Sequence, residues 1–259
     1  MSEAIPLEDN QESEGSLAPE ARPEQAEKII PPKEKVWVTY VIIGVTVFIY
    51  LLQMLSEFLI GGDYPAFLGM KVNEFILAGQ VWRLLTPVLL HGSVLHIAFN
   101  MLFLFRIGPN LEKIYGSAHF FIFYLAAAFT GNVFSFLFTQ APSLGASTAI
   151  FGLVTAQAVL IFHNQKFFRN SRKSLTDIGT TIAVNLMLGL SPGIDNFGHL
   201  GGLLGGLAIA WFAGPLLKLR PEADGYHIYN KQSAKRFTIV IFVVVLAFAL
   251  LAAGKAILV

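Results

Sequence analysis

The most prominent feature of this sequence is a series of apolar runs separated by short polar segments. Seven runs are candidates for membrane-spanning helices, and they cover residues 36–59, 84–107, 118–138, 147–162, 175–190, 197–217 and 237–258. Most are about 20 residues long, the length that a helix needs to cross a hydrocarbon core of about 30 Å. The fourth and fifth are shorter, so we expect neighbouring helices to bury their ends. The pattern predicts an all-α fold, a polytopic membrane helix bundle.

The polar segments divide the chain into four parts. Residues 1–35 hold nine acidic and four basic side chains without an apolar period, which is typical of a disordered tail. Residues 36–217 hold the first six spans and include a long, half-apolar loop at 61–83. A basic linker at 218–235 precedes the seventh span, which lies within 236–259. We therefore expect a six-helix membrane domain with one additional C-terminal helix.

The composition agrees with a membrane protein. Hydrophobic residues make up 54% of the chain and charged residues 14%, and the mean hydropathy is +0.62. A soluble domain carries about 25% charged residues. The chain has no cysteine, so disulfides and thiolate metal sites are excluded.

Basic residues predict the orientation, because Lys and Arg concentrate in cytoplasmic segments near membrane spans. They are abundant before the first span and after the second, fourth and sixth spans, which all lie on one side. On the other side, the loops at 139–146 and 191–196 contain none, and the long first loop contains only Lys71 and Arg83. The N-terminus is therefore predicted to be cytoplasmic and the C-terminus extracytoplasmic.

Polar side chains inside membrane spans are costly and commonly mark function. In this chain they are His91, His96, Asn100, Asn132, Ser147, Asn185 and His199. The predicted orientation puts His96 and Asn100 in the outer half of the second span. It puts Ser147 and His199 at the outer ends of the fourth and sixth spans. An interhelical hydrogen bond explains any one of them, but four at a shared depth indicate a functional site.

The types of these residues fit nucleophilic catalysis. A serine hydroxyl needs a base within hydrogen-bond reach, and imidazole is the usual one, so Ser147 and His199 are the candidate pair. Ser147 begins the fourth span, and the unpaired amides of a helix N-terminus can stabilise an oxyanion. His96 and Asn100 can add side-chain donors. Phe151, one turn after Ser147, can pack against the imidazole.

Glycine is frequent around His199. The glycines of this segment are Gly198, Gly201, Gly202, Gly205 and Gly206. Gly202 and Gly206 form a G-x-x-x-G pattern, which permits two membrane helices to approach closely. Such an approach would bring His199 to Ser147. Asp195 precedes His199 by four residues, and we expect it to be a solvated loop residue rather than the third member of a triad.

Four segments together resemble the rhomboid family of intramembrane serine proteases. They are residues 82–83, 91–100, 145–152 and 198–206, in the order and spacing of the family. The resemblance implies a six-helix rhomboid catalytic core within residues 36–217. It also implies that residues 236–258 are the additional helix of a "6+1" arrangement.

The resemblance implies roles for individual residues. Ser147 is the implied nucleophile and His199 the implied general base. His96, Asn100 and the amide of Ser147 form the implied oxyanion hole. The implied site-supporting residues are His91, Gly145, Phe151 and Gly202.

Two loops also resemble parts of the family. Trp82 and Arg83 belong to the first loop and are implied to be structural rather than catalytic. The loop at 191–197 resembles a mobile cap over the site, with Pro192 and Gly193 as bend points.

Two positions depart from the usual family pattern. Thr148 follows the implied nucleophile where glycine is commonest, and its bulk is expected to crowd the oxyanion pocket. Gly198 precedes the implied base where alanine is frequent, which is a mild change.

The resemblance implies an intramembrane serine endopeptidase that cleaves single-span membrane-protein substrates near the extracytoplasmic face, with the lipid bilayer as its surroundings. An alternative remains open, a non-proteolytic rhomboid-like protein that binds membrane clients; Thr148 is the feature in its favour. A transporter would show an inverted repeat or an intramembrane carboxylate in an ion path. The sequence shows neither convincingly.

No cofactor, metal or nucleic-acid partner is predicted. The zinc-protease pattern H-E-x-x-H is absent, and no carboxylate accompanies His91, His96 and His199. The basic linkers are interpreted as topology signals and as contacts to anionic lipid headgroups.

Overall fold

The computed structural model describes residues 29–32, 34–191 and 193–258. Its helices are α1 (Val38–Ile60), α2 (Tyr64–Gly69), α3 (Asn73–Leu77), α4 (Val94–Tyr115), α5 (Ser117–Phe138), α6 (Ser147–His163), α7 (Ser171–Leu188), α8 (Asn196–Ala213) and α9 (Ala234–Leu258). Its strands are β1 (Ile29–Ile30), β2 (Leu217–Glu222) and β3 (Gly225–Asn230), and 3-10 turns occupy Val81–Leu84, Thr86–Leu89 and Gln165–Phe167. Residues 1–28 and 33 of the predicted tail, Pro192 of the predicted cap and residue 259 lie outside the described residues.

The long helices are of membrane-spanning type. Among the described residues, α1, α4, α5 and α9 are each long and apolar enough to cross a bilayer, and α6 is a shorter apolar helix of 17 residues. Helices α7 and α8 have 18 residues each. Together with these, the four long helices and α6 correspond to the seven predicted spans. The prediction of a polytopic helical membrane bundle is confirmed.

The second span begins later than predicted. The sequence pattern placed its start at residue 84, but α4 begins at Val94. Residues 81–89 form two 3-10 turns instead, the second with Pro87 near its start. Ser93 then caps α4, because its hydroxyl accepts a hydrogen bond from the amide of His96 at 3.1 Å. As a result, His91 precedes the helix rather than lying within it.

The basic linker folds into a β-hairpin, which the helical pattern did not predict. Strands β2 and β3 are antiparallel, and the turn between them uses Gly225 at a φ of 138°. Ile29–Ile30 adds a third strand, parallel to β3, with Ile29 opposite Tyr226 and Ile30 opposite His227. The expected disorder up to residue 35 is therefore wrong at Ile29–Ile30, since two apolar residues there satisfy the open edge of β3.

Helix α8 packs against α5 and α6 through its glycines. A Cβ atom on Gly201 or Gly205 would overlap atoms of α5, among them side-chain atoms of Thr130 at Gly205. A Cβ atom on Gly202 would overlap the carbonyl oxygen of Thr148 in α6. The absence of side chains on both faces thus permits the close packing that small residues give membrane helices.

A buried carboxylate joins the start of α1 to the end of α4. Glu112 is fully buried and accepts hydrogen bonds from the amides of Trp37, Val38 and Thr39 at 2.8–2.9 Å. It also accepts from the hydroxyls of Thr39 and Ser117 at 2.7 Å. The first amides of a helix have no partner within the helix, so this carboxylate caps α1. Its negative charge also interacts favourably with the positive end of the α1 dipole.

The last helix attaches to the end of α5. Near the end of α9, the ammonium group of Lys255 donates to the carbonyl oxygens of Phe136, at 2.5 Å, and Leu137, at 3.1 Å. At the other end of α9, the ring of Phe237 packs edge-on against His119, with centroids 4.5 Å apart. Both contacts are to α5, so α9 belongs to the same bundle.

The first loop is folded around Arg83. Its guanidinium donates to the carbonyl oxygens of Met70 and Phe67 at 2.8 and 2.9 Å and lies 4.6 Å from the centre of the Phe75 ring. The indole of Trp82 donates to the carbonyl oxygen of Leu68 at 3.2 Å. These contacts join the 3-10 turn at Val81–Leu84 to α2 and α3.

We expect Glu112→Gln to destabilise the bundle. Glutamine would replace one of the two accepting oxygens by an NH2 group, which cannot accept a hydrogen bond. The backbone amides and hydroxyls that donate to that oxygen would then be buried without a partner. Hydrogen bonds to a charged group contribute about 1.5–3 kcal/mol each, so a loss of about 3 kcal/mol is expected. Thermal unfolding in detergent measures this loss. Glu57→Gln, on the exposed surface of α1, is the matched control, and equal melting temperatures for the two variants would contradict the capping role.

Candidate active site

Ser147 and His199 meet at the ends of two adjacent helices. Ser147 is the first residue of α6, and His199 lies in the first turn of α8. The hydroxyl oxygen of Ser147 is 2.9 Å from Nε2 of His199, within the reach that a nucleophile and its base require. The imidazole stacks on the ring of Phe151, with centroids 4.3 Å apart and planes 20° from parallel.

The turn before Ser147 requires glycine. Gly145 has a φ of 134°, which side chains rarely tolerate, and its amide donates to the carbonyl oxygen of Pro87 at 2.9 Å. A Cβ atom at Gly145 would also lie 2.8 Å from the ring of His96. The turn therefore brings the backbone close to His96 and directs the chain into α6 at Ser147.

The surroundings of Nδ1, the second ring nitrogen of His199, distinguish a Ser–His pair from a Ser–His–acid triad. Among the described residues, Nδ1 of His199 has no hydrogen-bond partner, although the ring is only 8% exposed. For Nε2 to accept the proton of Ser147, Nδ1 must carry the other ring proton. Asp195, the nearest acidic residue along the chain, is hydrogen-bonded to Ser135, Thr139 and Gly198 instead. The geometry is that of a Ser–His pair.

His96 and Asn100 line the same cavity as the pair. The cavity has a volume of about 750 Å³, and Ser147 and His199 both line it. The side-chain amide of Asn100 donates to the carbonyl oxygen of His96 at 3.0 Å, which uses one of its two N–H groups. The second N–H is available to a bound group. Asn132, also noted among the intramembrane polar residues, lines this cavity as well.

His91 supports the Ser147 turn from the loop before α4. It is 1% exposed, and its Nε2 accepts a hydrogen bond of 3.4 Å from the amide of Ala146. Its ring packs edge-on against that of His96, with centroids 5.0 Å apart. Burial, with a smaller contribution from His96, lowers the pKa of His91 to about 3. His91 is therefore neutral and available as an acceptor over the physiological range.

Gln53 of α1 completes the support of His91 and was missed in the sequence. Its side-chain oxygen accepts from the amide of His91 at 3.0 Å, and its nitrogen donates to the carbonyl oxygen of His91 at 3.2 Å. It is 2% exposed. A lone glutamine in the first apolar run carries the same signal as the other intramembrane polar residues.

Helix α7 forms the loosely packed side of the cavity. None of its described side chains is buried, yet Thr181, Ile182, Asn185 and Leu188 line the cavity that Phe99 and Phe103 of α4 also line. The amide of Asn185 donates to the carbonyl oxygen of Thr181 at 2.8 Å. The cavity thus has one wall whose helix is held by few buried contacts.

One cluster of potential metal-ligating side chains lies away from the Ser–His pair. Within the described part of the chain, the side chains close enough to share an ion are Glu222, Asp224 and His227. They belong to the β-hairpin that follows the C-terminal end of α8, whereas His199 is in its first turn. Arg220 already pairs with Glu222 at 3.1 Å.

A family model described as the Rhomboid domain matches residues 78–216, which is more than half of the chain. The chain belongs to the rhomboid family. The matched segment contains the Ser–His pair, His91, His96 and Asn100.

Named relatives of this rhomboid include bacterial and eukaryotic proteins. It is 39% identical to the rhomboid protease GluP of Bacillus subtilis (strain 168) over 73% of its own length and 36% of that protein. It is 36% identical to RHOMBOID-like protein 4 of Arabidopsis thaliana, over 64% of its length and 42% of the relative. It is 37% identical to Rhomboid-like protease 1 of Toxoplasma gondii, over 62% of its own length and 54% of that protein. The chain thus spans between 36% and 54% of the length of these relatives.

The rhomboid chain accommodates Thr148 by means of glycines on two other segments. A Cβ atom on Gly131 of α5 would lie 2.6 Å from Cβ of Thr148, and one on Gly198 would lie 3.2 Å from its methyl carbon. Thr148 also lines the cavity, but its side chain fills the space that these two glycines leave. Its hydroxyl has no hydrogen-bond partner among the described residues. The two departures from the family pattern, Thr148 and Gly198, are therefore neighbours, since a side chain at residue 198 would crowd the Thr148 methyl group.

We expect acid to destabilise this rhomboid partly through His91. Its folded-state pKa of about 3 lies below the ordinary value of 6.5, so between these values the unfolded chain binds the proton more tightly. Stability contributed by neutral His91 is therefore present above about pH 6.5 and is lost as the pH falls toward 3. The fall in melting temperature from pH 7 to pH 4.5 should be smaller for His91→Gln than for the wild type. Equal falls would contradict this assignment.

Two substitutions separate the shape of Thr148 from its hydroxyl. Thr148→Ala removes the methyl group packed between Gly131 and Gly198 and should cost about 1 kcal/mol. Thr148→Val keeps the shape and removes a buried hydroxyl without a partner, so its melting temperature should equal or exceed that of the wild type. Thermal unfolding of the pair in detergent provides the comparison. A melting temperature for Thr148→Val as low as that of Thr148→Ala would show that the hydroxyl, not the methyl group, is what matters.

Proposed function

We propose that this chain is an intramembrane serine endopeptidase with Ser147 as nucleophile and His199 as general base. The observation that carries the proposal is the 2.9 Å approach of the Ser147 hydroxyl to Nε2 of His199, on the wall of a cavity within a membrane helix bundle. Relatives named as rhomboid proteases, GluP among them, support the same reaction class.

In the first half of the reaction, Nε2 of His199 accepts the Ser147 proton as the serine oxygen attacks the substrate carbonyl carbon. The tetrahedral intermediate collapses when the resulting imidazolium donates that proton to the leaving amine nitrogen. The C–N bond breaks and an acyl-serine ester remains. In the second half, His199 accepts a proton from water as the water oxygen attacks the ester carbon. The second tetrahedral intermediate collapses when the imidazolium returns that proton to the Ser147 oxygen, which breaks the ester C–O bond and releases the carboxylic acid product.

The negative charge of each intermediate needs fixed donors. Ser147 is the first residue of α6, so the unpaired N-terminal amides of the helix and the positive end of its dipole lie beside it. His96 and the second N–H of Asn100 supply side-chain donors on the cavity wall. One such donor contributes about 10²–10³ in rate, so each of these residues contributes to the rate without being indispensable.

The proposed substrates are single-span membrane proteins. The surface of the cavity is mainly apolar, and the cavity reaches from α4 to the loosely packed α7, which suits an apolar segment entering from lipid. An intact helix hides its carbonyl groups, so the segment must unwind near the cut. Small or helix-breaking residues at the cleavage site are the expected context.

The proposed orientation follows from the basic residues. Segments rich in Lys and Arg flank the ends of the spans remote from Ser147 and His199, and such segments stay in the cytoplasm. The N-terminus is then cytoplasmic, and the cavity faces the extracytoplasmic side.

Probe labelling and cleavage test the proposal together. Detergent-purified wild type should label with a fluorophosphonate and cleave a single-span substrate. Ser147→Ala should do neither, and His199→Ala should lose at least about 10³-fold in cleavage rate. His96→Ala and Asn100→Ala should each lose about 10²–10³-fold.

Ser56→Ala is the matched control for these variants. Its hydroxyl donates to the carbonyl oxygen of Gly62 at 2.6 Å in the first loop, so labelling and cleavage should be retained. Cleavage by Ser147→Ala at the wild-type rate would refute the nucleophile. A wild type that neither labels nor cleaves, yet binds membrane clients, would favour the non-proteolytic alternative.

A further inference from the structure

Asp195 joins the helix that carries His199 to the end of α5. One carboxylate oxygen accepts hydrogen bonds from the amide of Gly198 at 2.9 Å and from the hydroxyl of Thr139 at 3.2 Å. The other accepts from the hydroxyl of Ser135. The expectation of a solvated loop residue was therefore wrong. Asp195 is the N-cap of α8, and its side chain also binds α5.

The partner of this carboxylate is itself held in place. The carbonyl oxygen of Thr139 accepts from the ammonium group of Lys71 at 2.8 Å and from the side-chain amide of Asn73 at 3.0 Å. Lys71 also donates to Ala141 at 2.8 Å, and Lys255 of α9 holds the carbonyl oxygens just before Thr139. The end of α5 is therefore a fixed support that the first loop and α9 share.

The charge of Lys71 complements that of Asp195. The Lys71 side chain is fully buried, and burial lowers its pKa to about 8, while the charge of Asp195 opposes that shift. Lys255 and Glu74 are the other charged groups that act on Lys71, with opposite signs. An attraction between Lys71 and Asp195 thus strengthens the contact between α8 and the end of α5.

Gly198 makes room for this contact. A Cβ atom there would lie 3.0 Å from a carboxylate oxygen of Asp195 and 3.2 Å from the methyl carbon of Thr148. These distances are tighter than ordinary contacts, so alanine would push the carboxylate or Thr148 aside. Glycine immediately before His199 therefore leaves the space that the side chains of Asp195 and Thr148 occupy.

The His199 side chain has few restraints of its own. Among the described residues, its ring is hydrogen-bonded only through Nε2, to Ser147, and is stacked on Phe151. The position of Nε2 relative to Ser147 therefore depends on where the first turn of α8 lies. An error of 1 Å in such a geometry can cost about 10² in rate.

We propose that Asp195 is a positioning residue for the Ser147–His199 pair, which fixes the first turn of α8 against Ser135 and Thr139 of the α5 end. The inference rests on the proposed protease function. Asp195 acts through the backbone of α8 and makes no hydrogen bond with the His199 ring among the described contacts.

Asp195→Ala and Asp195→Asn test the role. Alanine removes the cap and both contacts to α5, so kcat for a single-span substrate should fall about 10- to 100-fold while KM changes less than about twofold. Asparagine is an equally good cap, and its amide can donate to Ser135, so kcat should return to within about threefold of the wild type. Amide hydrogen exchange in residues 198–201 should accelerate in Asp195→Ala and not in Asp195→Asn.

Two further variants separate positioning from loss of stability. Glu112 also caps a helix, α1, accepting from the amides of Val38 and Thr39 at 2.8 Å. Glu112→Gln should lower the melting temperature without lowering kcat. Ser135→Ala leaves α8 unchanged and removes one partner of the Asp195 carboxylate, so it should lower kcat in the same direction as Asp195→Ala. It also carries the test if Asp195→Ala does not fold.

The outcomes distinguish this inference from the proposed function. If the wild type neither labels nor cleaves, the protease proposal fails, while hydrogen exchange still reports whether Asp195 fixes α8. If the wild type is active and Asp195→Ala matches it in kcat and exchange, the positioning role is refuted. It is also refuted if Asp195→Asn is as impaired in kcat as Asp195→Ala while its hydrogen exchange matches the wild type, because the carboxylate charge rather than the position of α8 would then be essential.

Discussion

The close approach of α8 to α5 and α6 is the constraint on which the rest of this structure depends. Gly202 faces the backbone of Thr148 in α6, and Gly205 faces Thr130 in α5, without room for a side chain on either glycine. Lipid surrounds a membrane helix with a medium as apolar as its own side chains, so packing and hydrogen bonds must hold the helices together. The contact between Ser147 and His199 exists because two backbones come this close.

Helix ends within the bundle impose the second requirement. Their amides and carbonyl groups need partners, since lipid provides none. The chain meets this need with charged side chains turned inward: Glu112 at the start of α1, and Lys71 and Lys255 at the end of α5. Arg83 does the same for the carbonyl groups of the first loop. Several of the few charges in the membrane domain therefore serve the backbone, and the cavity itself remains largely apolar.

Within the part of the chain that the structure describes, no third residue hydrogen-bonds to the His199 imidazole, so the Ser–His pair relies on the surrounding helices for its geometry. Phe151 stacks beneath the ring, the Gly145 turn sets the start of α6, and His91 holds the amide of Ala146. The same logic explains Thr148, whose bulk is balanced by glycines on α5 and α8. The site is thus defined by helix packing at least as much as by its own polar side chains.

Local pattern alone determined the helical bundle, its approximate spans and the set of polar residues from which the site is built. Run length and the cost of polar groups in lipid are local properties, so Ser147, His199, His96 and Asn100 stood out without any structure. Only the tertiary structure decided which partners they have. The sequence predicted a solvated loop residue at Asp195, because its partners Ser135 and Thr139 are 60 and 56 residues away along the chain. Gln53 is a single polar residue in an apolar run, so the sequence did not predict its contact with His91. The sequence pattern likewise did not predict the β-hairpin or the late start of α4. Strand pairing and the 3-10 turns around Pro87 depend on contacts that hydrophobic periodicity does not encode.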